Sequence, residues 1–258
     1  MRKYFISIFI AFLLYFNISC TKKNDTASIA TGQFFLHLHT NIDTAEVDGY
    51  NTVIVSQSKR KISLSIAQLY ISNIQLLKID GSVYPVTGKV LLKVLVNEGY
   101  LVGNVPAGNY KSVSFSVGLN STENNTAPLT SDTVFYHPEI WFGNSAQPEG
   151  FVFLNFEGKI DTTTKANGSE SQLQPFVYKI RTVSNLSNVS MPEQKFTVLP
   201  NQPEYVHIII NYFKIFNGID LSQPGNLSVQ NPSDNSNTVV KQIVTNIPGM
   251  FAYEGMGM

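Results

Sequence analysis

The 258-residue sequence is poor in cysteine and in charge. It has one cysteine, so no disulfide can form within the chain. The 18 lysines and arginines are balanced by 18 aspartates and glutamates, and the basic residues do not cluster. Nucleic-acid binding depends on clustered basic side chains that neutralise phosphates, so we expect no nucleic acid among the partners.

The motifs of common enzyme classes are also missing from the sequence. It contains no glycine-rich phosphate loop, no nucleophile elbow and no zinc-protease helix motif. The carboxylates Glu139, Glu149, Glu157 and Asp161 show no spacing typical of an acid–base pair. We therefore expect a binding protein and not an enzyme.

The first twenty residues have the pattern of an export signal. A basic pair at residues 2 and 3 precedes an apolar run over residues 4–16, which is too short to span a bilayer comfortably. The run ends in small and polar residues before Cys20, a place that resembles the acceptor cysteine of bacterial lipoproteins. Asn17, three residues before Cys20, departs from the aliphatic residue usual at that position of a lipoprotein signal. The alternative to a lipoprotein signal is an ordinary cleaved export signal. Residues 21–32 are predicted to form a polar tether.

A lipid on Cys20 would attach the protein to a membrane, because each buried methylene contributes about 0.8 kcal/mol. The expected location is therefore the cell envelope. Thr21 stands where an aspartate would favour retention in the inner membrane, so we expect an outer-membrane lipoprotein. The pattern leaves open whether the domain faces the periplasm or the outside.

Residues 33–258 predict a single all-β domain, an antiparallel β-sandwich. Stretches rich in β-branched and aromatic residues alternate with turn residues, and neither βαβ alternation nor a fixed repeat is present. The run KISLSIAQLYISNIQLLK is too long for one ordinary strand and predicts two strands with a break near AQLYIS. The segment VVKQIVTNIPGMFAYEG predicts a short C-terminal helix.

The stretch FFLHLHT places His37 and His39, two of the four histidines, on one face of a predicted strand. Phe34, Leu36 and Leu38 alternate with them and are expected to face the core. Residues two apart on a strand lie roughly 6.6 Å from each other, so two imidazoles can bind one metal ion. Imidazole suits several metals, and copper is favoured in a domain without thiolates. The alternative is a pair of polar residues on a solvated face.

The other two histidines, His137 and His207, differ in how well their surroundings suit a metal ligand. His137 lies in an aromatic loop, VFYHPEIWF, that is expected to pack against the domain, and it is the candidate third metal ligand. In the same loop Trp141, considered by itself, is expected to be an ordinary core anchor. His207 alternates with Val206 and Ile208 and is expected to face solvent or a neighbouring strand.

Several segments together resemble the MbnP-like family of copper-binding envelope proteins. They are FFLHLHT, LSIAQLYISNIQLLKIDG, VPAGNYKSVSFSVGLN, GFVFLNFEGKI and IVTNIPGMFAYEG, in the family's order between residues 33 and 254. The resemblance implies a single β-rich domain that holds one copper ion, as Cu(I), through histidine imidazoles. It places the family's strand histidine at His37 or His39. It also places near Trp141 a tryptophan that a di-haem peroxidase-like partner oxidises to kynurenine in one branch.

Two departures from the family pattern leave a second function open. Ile140 stands where a methionine is usual, and Lys179 stands where a histidine ligand is expected. A protonated lysine offers no lone pair to copper, so that ligand is missing unless His137 or His207 replaces it. The first hypothesis is a lipid-anchored copper-binding protein for acquisition, buffering or delivery. The alternative is a metal-free β-sandwich interaction module, and a copper redox enzyme is the least favoured function.

Overall fold

A computed structural model describes residues 29–141 and 150–255 of the chain. The predicted export signal, Cys20 and most of the predicted tether lie outside these residues. No helix within the described ranges is long and apolar enough to cross a membrane.

The described residues form mostly β-strands with a few short helices. The strands are β1 (Thr31–Ile42), β2 (Ala45–Glu46), β3 (Ile54–Val55), β4 (Lys61–Lys78), β5 (Val83–Pro85), β6 (Leu91–Val94), β7 (Gly99–Pro106), β8 (Gly108–Val117), β9 (Val152–Ile160), β10 (Gln174–Arg181), β11 (Ser187–Ser190), β12 (Phe196–Val198), β13 (Pro203–Asn211), β14 (Ser228–Val229) and β15 (Phe251–Tyr253). The α-helices are α1 (Ser121–Asn124) and α2 (Thr238–Asn246). Short 3-10 helices occur at Glu170–Gln172, Val183–Asn185, Tyr212–Phe216, Pro224–Leu227, Pro232–Ser236 and Ile247–Met250.

The smaller of two sheets has five strands and is built around β1. One edge of β1 pairs with β13, which pairs in turn with β15. The other edge pairs with β7 along its first half and with β2 at its end. Between the parts of β1 that pair with β7 and with β2, residues outside these strands supply the hydrogen-bond partners of its backbone. There the Leu38 N–H donates to the Glu98 carbonyl at 2.9 Å.

The larger sheet has ten strands and is built around β4. Its central order is β11-β8-β4-β9-β10-β14, with β3, β5 and β6 also pairing with β4 and β12 pairing with β8. The apolar faces of the two sheets contribute to one core. Phe34, Leu36 and Leu38 of β1 are completely buried in it, whereas Phe35, His37 and His39 are only half-buried on the opposite face. The predicted alternation along β1 is confirmed.

The predicted all-β sandwich in a single domain is confirmed, but the sheets are mixed and not purely antiparallel. β1 and β13 run parallel, as do β10 and β14. The strands of each pair are separated by other elements, so no hairpin fixes their relative direction, whereas adjacent strands joined by tight turns must be antiparallel. β1 also begins at Thr31, two residues before the predicted start of the domain.

The expected break in the long strand is a distortion and not an interruption. β4 is continuous over 18 residues, and its register with β8 shifts between Ser72 and Gln75. Asn73 between them has φ 52°, a left-handed conformation that asparagine tolerates better than most residues. The expected C-terminal helix is present as α2, but the end of the predicted segment returns to the smaller sheet as β15.

Leu36 tests the role of the buried face of β1. Its replacement by Ala should destabilise the protein by about 2–5 kcal/mol, because it removes a completely buried side chain and leaves a cavity. Gln33→Ala on the exposed side of the same strand is the matched control and should change the free energy of unfolding far less. Urea unfolding of both variants measures the difference, and similar losses in the two would contradict the assignment of the faces.

Candidate metal centre

Three histidines meet on the outer face of the smaller sheet. His37 and His39 share this face because they are two residues apart on β1, and the parallel register of β13 sets His207 directly opposite His37. The His37 Nδ1 atom lies 3.1 Å from His39 Nε2 and 3.0 Å from His207 Nδ1. The third distance, from His39 Nε2 to His207 Nδ1, is 3.4 Å. The ligand atoms of all three residues therefore converge on one point.

Hydrogen bonds alone do not explain this triangle of nitrogens. A neutral imidazole has one N–H and one lone pair, so three nitrogens that all face each other cannot each be paired with both neighbours. A metal ion would accept all three lone pairs at once. Nitrogen ligands about 2.0–2.1 Å from a tetrahedral ion are about 3.3 Å apart, close to the distances in the triangle. The donor set therefore fits a metal ion held by three imidazoles.

Two carboxylates contact the outward nitrogens of these rings. Glu46 Oε1 lies 2.8 Å from His39 Nδ1, and Glu98 Oε2 lies 3.3 Å from His37 Nε2. In the neutral rings, these carboxylates favour a proton on the outward nitrogen, which leaves the inward nitrogen free to bind a metal. Such carboxylate–histidine pairs are common around protein metal sites, where they fix the tautomer and the ring orientation.

The strand pairing of β1 explains where these carboxylates come from. Glu46 lies in β2 opposite Asn41, and Glu98 precedes β7, whose first residue pairs with His37. Both therefore reach the edge of β1 at the interval between its partners β7 and β2. The turn before Glu98 is held by Lys93, a completely buried side chain at the end of β6.

Lys93 satisfies its ammonium group with backbone carbonyls. Its Nζ donates to Val94 O at 2.7 Å, to Leu95 O at 3.2 Å and to Asn97 O at 2.6 Å. Burial lowers the pKa of Lys93 to about 8. These three hydrogen bonds fix the turn over residues 94–97. The turn places Glu98 beside His37.

The environment of His37 favours its neutral form. Burial is the largest cause that lowers the pKa of His37 below 6.5, and the neighbouring His39 and His207 lower it further. Glu98 and Glu254 act in the opposite direction but do not outweigh these effects. A neutral imidazole has the lone pair that a metal needs, so His37 is available as a ligand at neutral pH.

The structure does not bring the predicted third ligand into this group. His137 lies on the connection between α1 and β9, where its Nε2 is 3.1 Å from Thr133 O and its Nδ1 is 3.5 Å from Glu139 Oε1. Trp141 is near it in sequence but packs against Phe151, with ring centroids 4.5 Å apart, in a small second core cluster. The expected packing of this loop against the domain is confirmed for residues up to 141.

Lys179 is likewise outside the histidine group. It lies on β10 in the larger sheet, opposite Asn155, and its Nζ pairs with Glu157 at 3.2 Å. Lys179 thus forms a half-buried ion pair with Glu157 on the other sheet. It says nothing against metal binding at the group on β1 and β13.

His207 was expected only to face solvent or a neighbouring strand. Its side chain is 43% exposed, compared with 26% for His37 and 15% for His39. The sequence signal that could have identified His207 as a ligand is a histidine that alternates with apolar residues within a predicted strand, the same pattern as in β1. Sequence alone does not tell that these two strands are neighbours, or that they are parallel and in register.

An all-β sandwich with three converging histidines on one sheet defines a candidate metal-binding protein. The chain belongs to the MbnP family, whose sequence profile matches residues 31–237. This is a family of copper-related envelope proteins. The match includes His37, His39 and His207, and it confirms the resemblance found in the sequence.

Comparison with solved structures finds MbnP from Methylosinus trichosporium at 15% sequence identity and a TM-score of 0.48. The similarity covers 81% of this chain and 87% of that chain. Comparison with curated proteins gives no match.

The protonation of His37 can be measured directly in the metal-free protein. Its imidazole should titrate below pH 6.5, as followed by nitrogen-15 NMR of the ring. Between pH 6.5 and the lowered pKa, the unfolded chain then binds more protons at this histidine than the folded protein does. The free energy of unfolding should therefore decrease as the pH falls through that interval. A pKa at or above 6.5 would contradict the dominance of burial over the carboxylates.

Proposed function

We propose that this protein binds one copper ion through His37 Nδ1, His39 Nε2 and His207 Nδ1. The observation that carries the proposal is the convergence of these three nitrogens, with distances of 3.0, 3.1 and 3.4 Å between them. Membership of the MbnP family supports copper over other ions that imidazole binds. The site replaces the predicted combination of His37 and His39 with His137.

The function that follows is acquisition, buffering or delivery of copper. The residues of the chain hold the ion and orient the ligands, and copper when bound would supply redox chemistry only if a coordination position were open to a substrate. The half-exposed His207 leaves the group within reach of solvent, as exchange with a partner or a small ligand requires. We therefore propose a binding protein and not an enzyme.

Individual ligand variants test this assignment. His37→Ala, His39→Ala and His207→Ala should each weaken copper binding by more than the 10- to 100-fold loss typical when a residue that only orients a ligand is removed. Wild-type protein should bind about one equivalent of copper, measured by titration calorimetry and by metal analysis after gel filtration.

His137→Ala is the matched control, since it removes an imidazole outside the group. Its copper affinity should equal that of the wild type. Copper binding that depends on His137 and not on His207 would overturn the ligand set. A wild-type protein that retains no copper would favour the metal-free interaction module.

We further propose that the protein is a lipoprotein of the cell envelope, attached through Cys20, with the outer membrane as its location. The export signal and the position of the single cysteine support this proposal. A di-haem peroxidase-like protein stays a predicted partner from the family resemblance. Its predicted substrate, Trp141, packs on Phe151 and is not in the histidine group.

Mass spectrometry of the protein isolated from a Gram-negative host tests the anchor. The mature protein should begin at Cys20 and carry the mass of acyl chains. Because those chains anchor it, the protein should be found in the membrane fraction. Cys20→Ala should lack this mass and leave the membrane fraction. An unmodified cysteine, or cleavage at another peptide bond, would rule out lipidation.

A further inference from the structure

A third carboxylate, Glu254, faces the histidine group differently from Glu46 and Glu98. Its Oε2 lies 3.2 Å from His207 Nδ1 and 3.8 Å from His39 Nε2. These are inward nitrogens, the ones assigned to the metal. Glu46 makes its shortest contact with the outward nitrogen of His39, and Glu98 contacts the outward nitrogens of His37 and His39.

The fold holds Glu254 at this place. β15 pairs antiparallel with β13, with Tyr253 opposite Ile208, and the Glu254 N–H donates to His207 O at 3.2 Å. The backbone of Glu254 is therefore hydrogen-bonded to the backbone of His207, one of the proposed ligands. Its side chain is 53% exposed and free of the packing constraints of the core. The residue lies beyond the segment 31–237 that the family profile matches.

The distances suit a fourth ligand of the same ion. Oxygen and nitrogen ligands about 2.0–2.2 Å from a tetrahedral ion lie about 3.3 Å apart. The contact with His207 Nδ1 is at this separation, and the contact with His39 Nε2 is 0.5 Å beyond it. In this group, the ligand atoms that all lie within 4.8 Å of one another are those of the three histidines, so the exposed Glu254 side chain must turn toward His37 to share the ion.

The surroundings of the group are anionic. Glu46, Glu98 and Glu254 bring three carboxylates to three imidazoles, and within the described ranges every ion pair of these carboxylates is with a histidine. Lys93 is attracted to Glu98 but donates its hydrogen bonds to backbone carbonyls. Lys195 lines a pocket together with His207 and Glu254 and forms none of the ion pairs of these three carboxylates. A doubly charged cation gains twice the Coulomb energy of a singly charged one in such a field.

The chemistry of the donors points the same way. Thiolate and thioether ligands select Cu(I), whereas imidazole with carboxylate oxygen suits divalent ions. The two methionines among the described residues, Met191 and Met250, are buried in the core. The side chains that contact the three imidazoles are the carboxylates of Glu46, Glu98 and Glu254.

Resting on the proposed function, we propose that Glu254 is a fourth ligand that makes this site selective for Cu(II) over Cu(I). The family resemblance implied Cu(I), so the proposal assigns this chain the opposite preference. Three neutral imidazoles alone carry no charge that distinguishes the two oxidation states. Glu46 and Glu98 add negative charge from the outward side of the rings, and Glu254 adds it at the ligand nitrogens themselves.

Glu254→Gln tests the proposal in protein expressed from the full sequence. The amide keeps the size of the side chain and removes its charge, so Cu(II) affinity should fall about 10- to 100-fold. Cu(I) affinity, measured without oxygen by competition with a Cu(I) chelator, should fall by much less, because the singly charged ion gains half the Coulomb energy from the carboxylate and does not need it as a ligand. Each factor of ten by which the loss for Cu(II) exceeds the loss for Cu(I) raises the reduction potential of the bound copper by about 59 mV. Zn²⁺, a redox-inert divalent probe, should also bind the variant more weakly.

Glu170→Gln is the matched control, because it removes the same charge from an exposed residue of the larger sheet's connections. It should leave both copper affinities unchanged. The electron paramagnetic resonance spectrum of Cu(II) should change in Glu254→Gln and not in Glu170→Gln, which separates ligation from a general effect of charge. Urea unfolding of each variant shows whether the fold is retained.

Two results would overturn this proposal without touching the histidine site. The first is equal weakening of Cu(II) and Cu(I) in Glu254→Gln, which would mean a structural role. The second is an unchanged Cu(II) affinity and spectrum. A wild-type protein that binds no copper at all would instead refute the proposed function itself.

Discussion

The parallel register between β1 and β13 is the constraint on which the candidate site depends. It places His207 directly opposite His37, and the two-residue period of β1 adds His39 on the same face. A shift of one residue in either strand would turn its histidines into the core and its leucines or isoleucines to solvent. The burial of Phe34, Leu36 and Leu38 therefore fixes the metal site as well as the fold, because the same alternation decides both.

The carboxylates around the group come from interruptions in the pairing of the same sheet. β7 begins opposite His37 and β2 ends opposite Asn41, so the edge of β1 between them is open to Glu98 and Glu46. β15 brings Glu254 to the other side of β13. The strands of the five-stranded sheet, or the residues directly next to them, thus supply all six polar side chains. Two carboxylates orient rings and one faces the ligand nitrogens, and this division follows from the strand that carries each of them.

Much of this arrangement could be predicted from the sequence, because local patterns carry it. Alternation along FFLHLHT separates the buried face of β1 from the histidine face, and the all-β class follows from the spacing of strand and turn signals. The third histidine could not be predicted in this way. His37 and His207 are 170 residues apart, and strand order and direction depend on packing across the whole sandwich. Proximity in sequence to Trp141 favoured His137, which the fold places on another loop.

The most direct test of the account is a crystal structure of the copper-loaded protein, with anomalous scattering measured at the copper absorption edge. The account predicts one strong peak in contact with His37 Nδ1, His39 Nε2 and His207 Nδ1. A copper peak beside His137 or Trp141, with none at the three histidines, would contradict it.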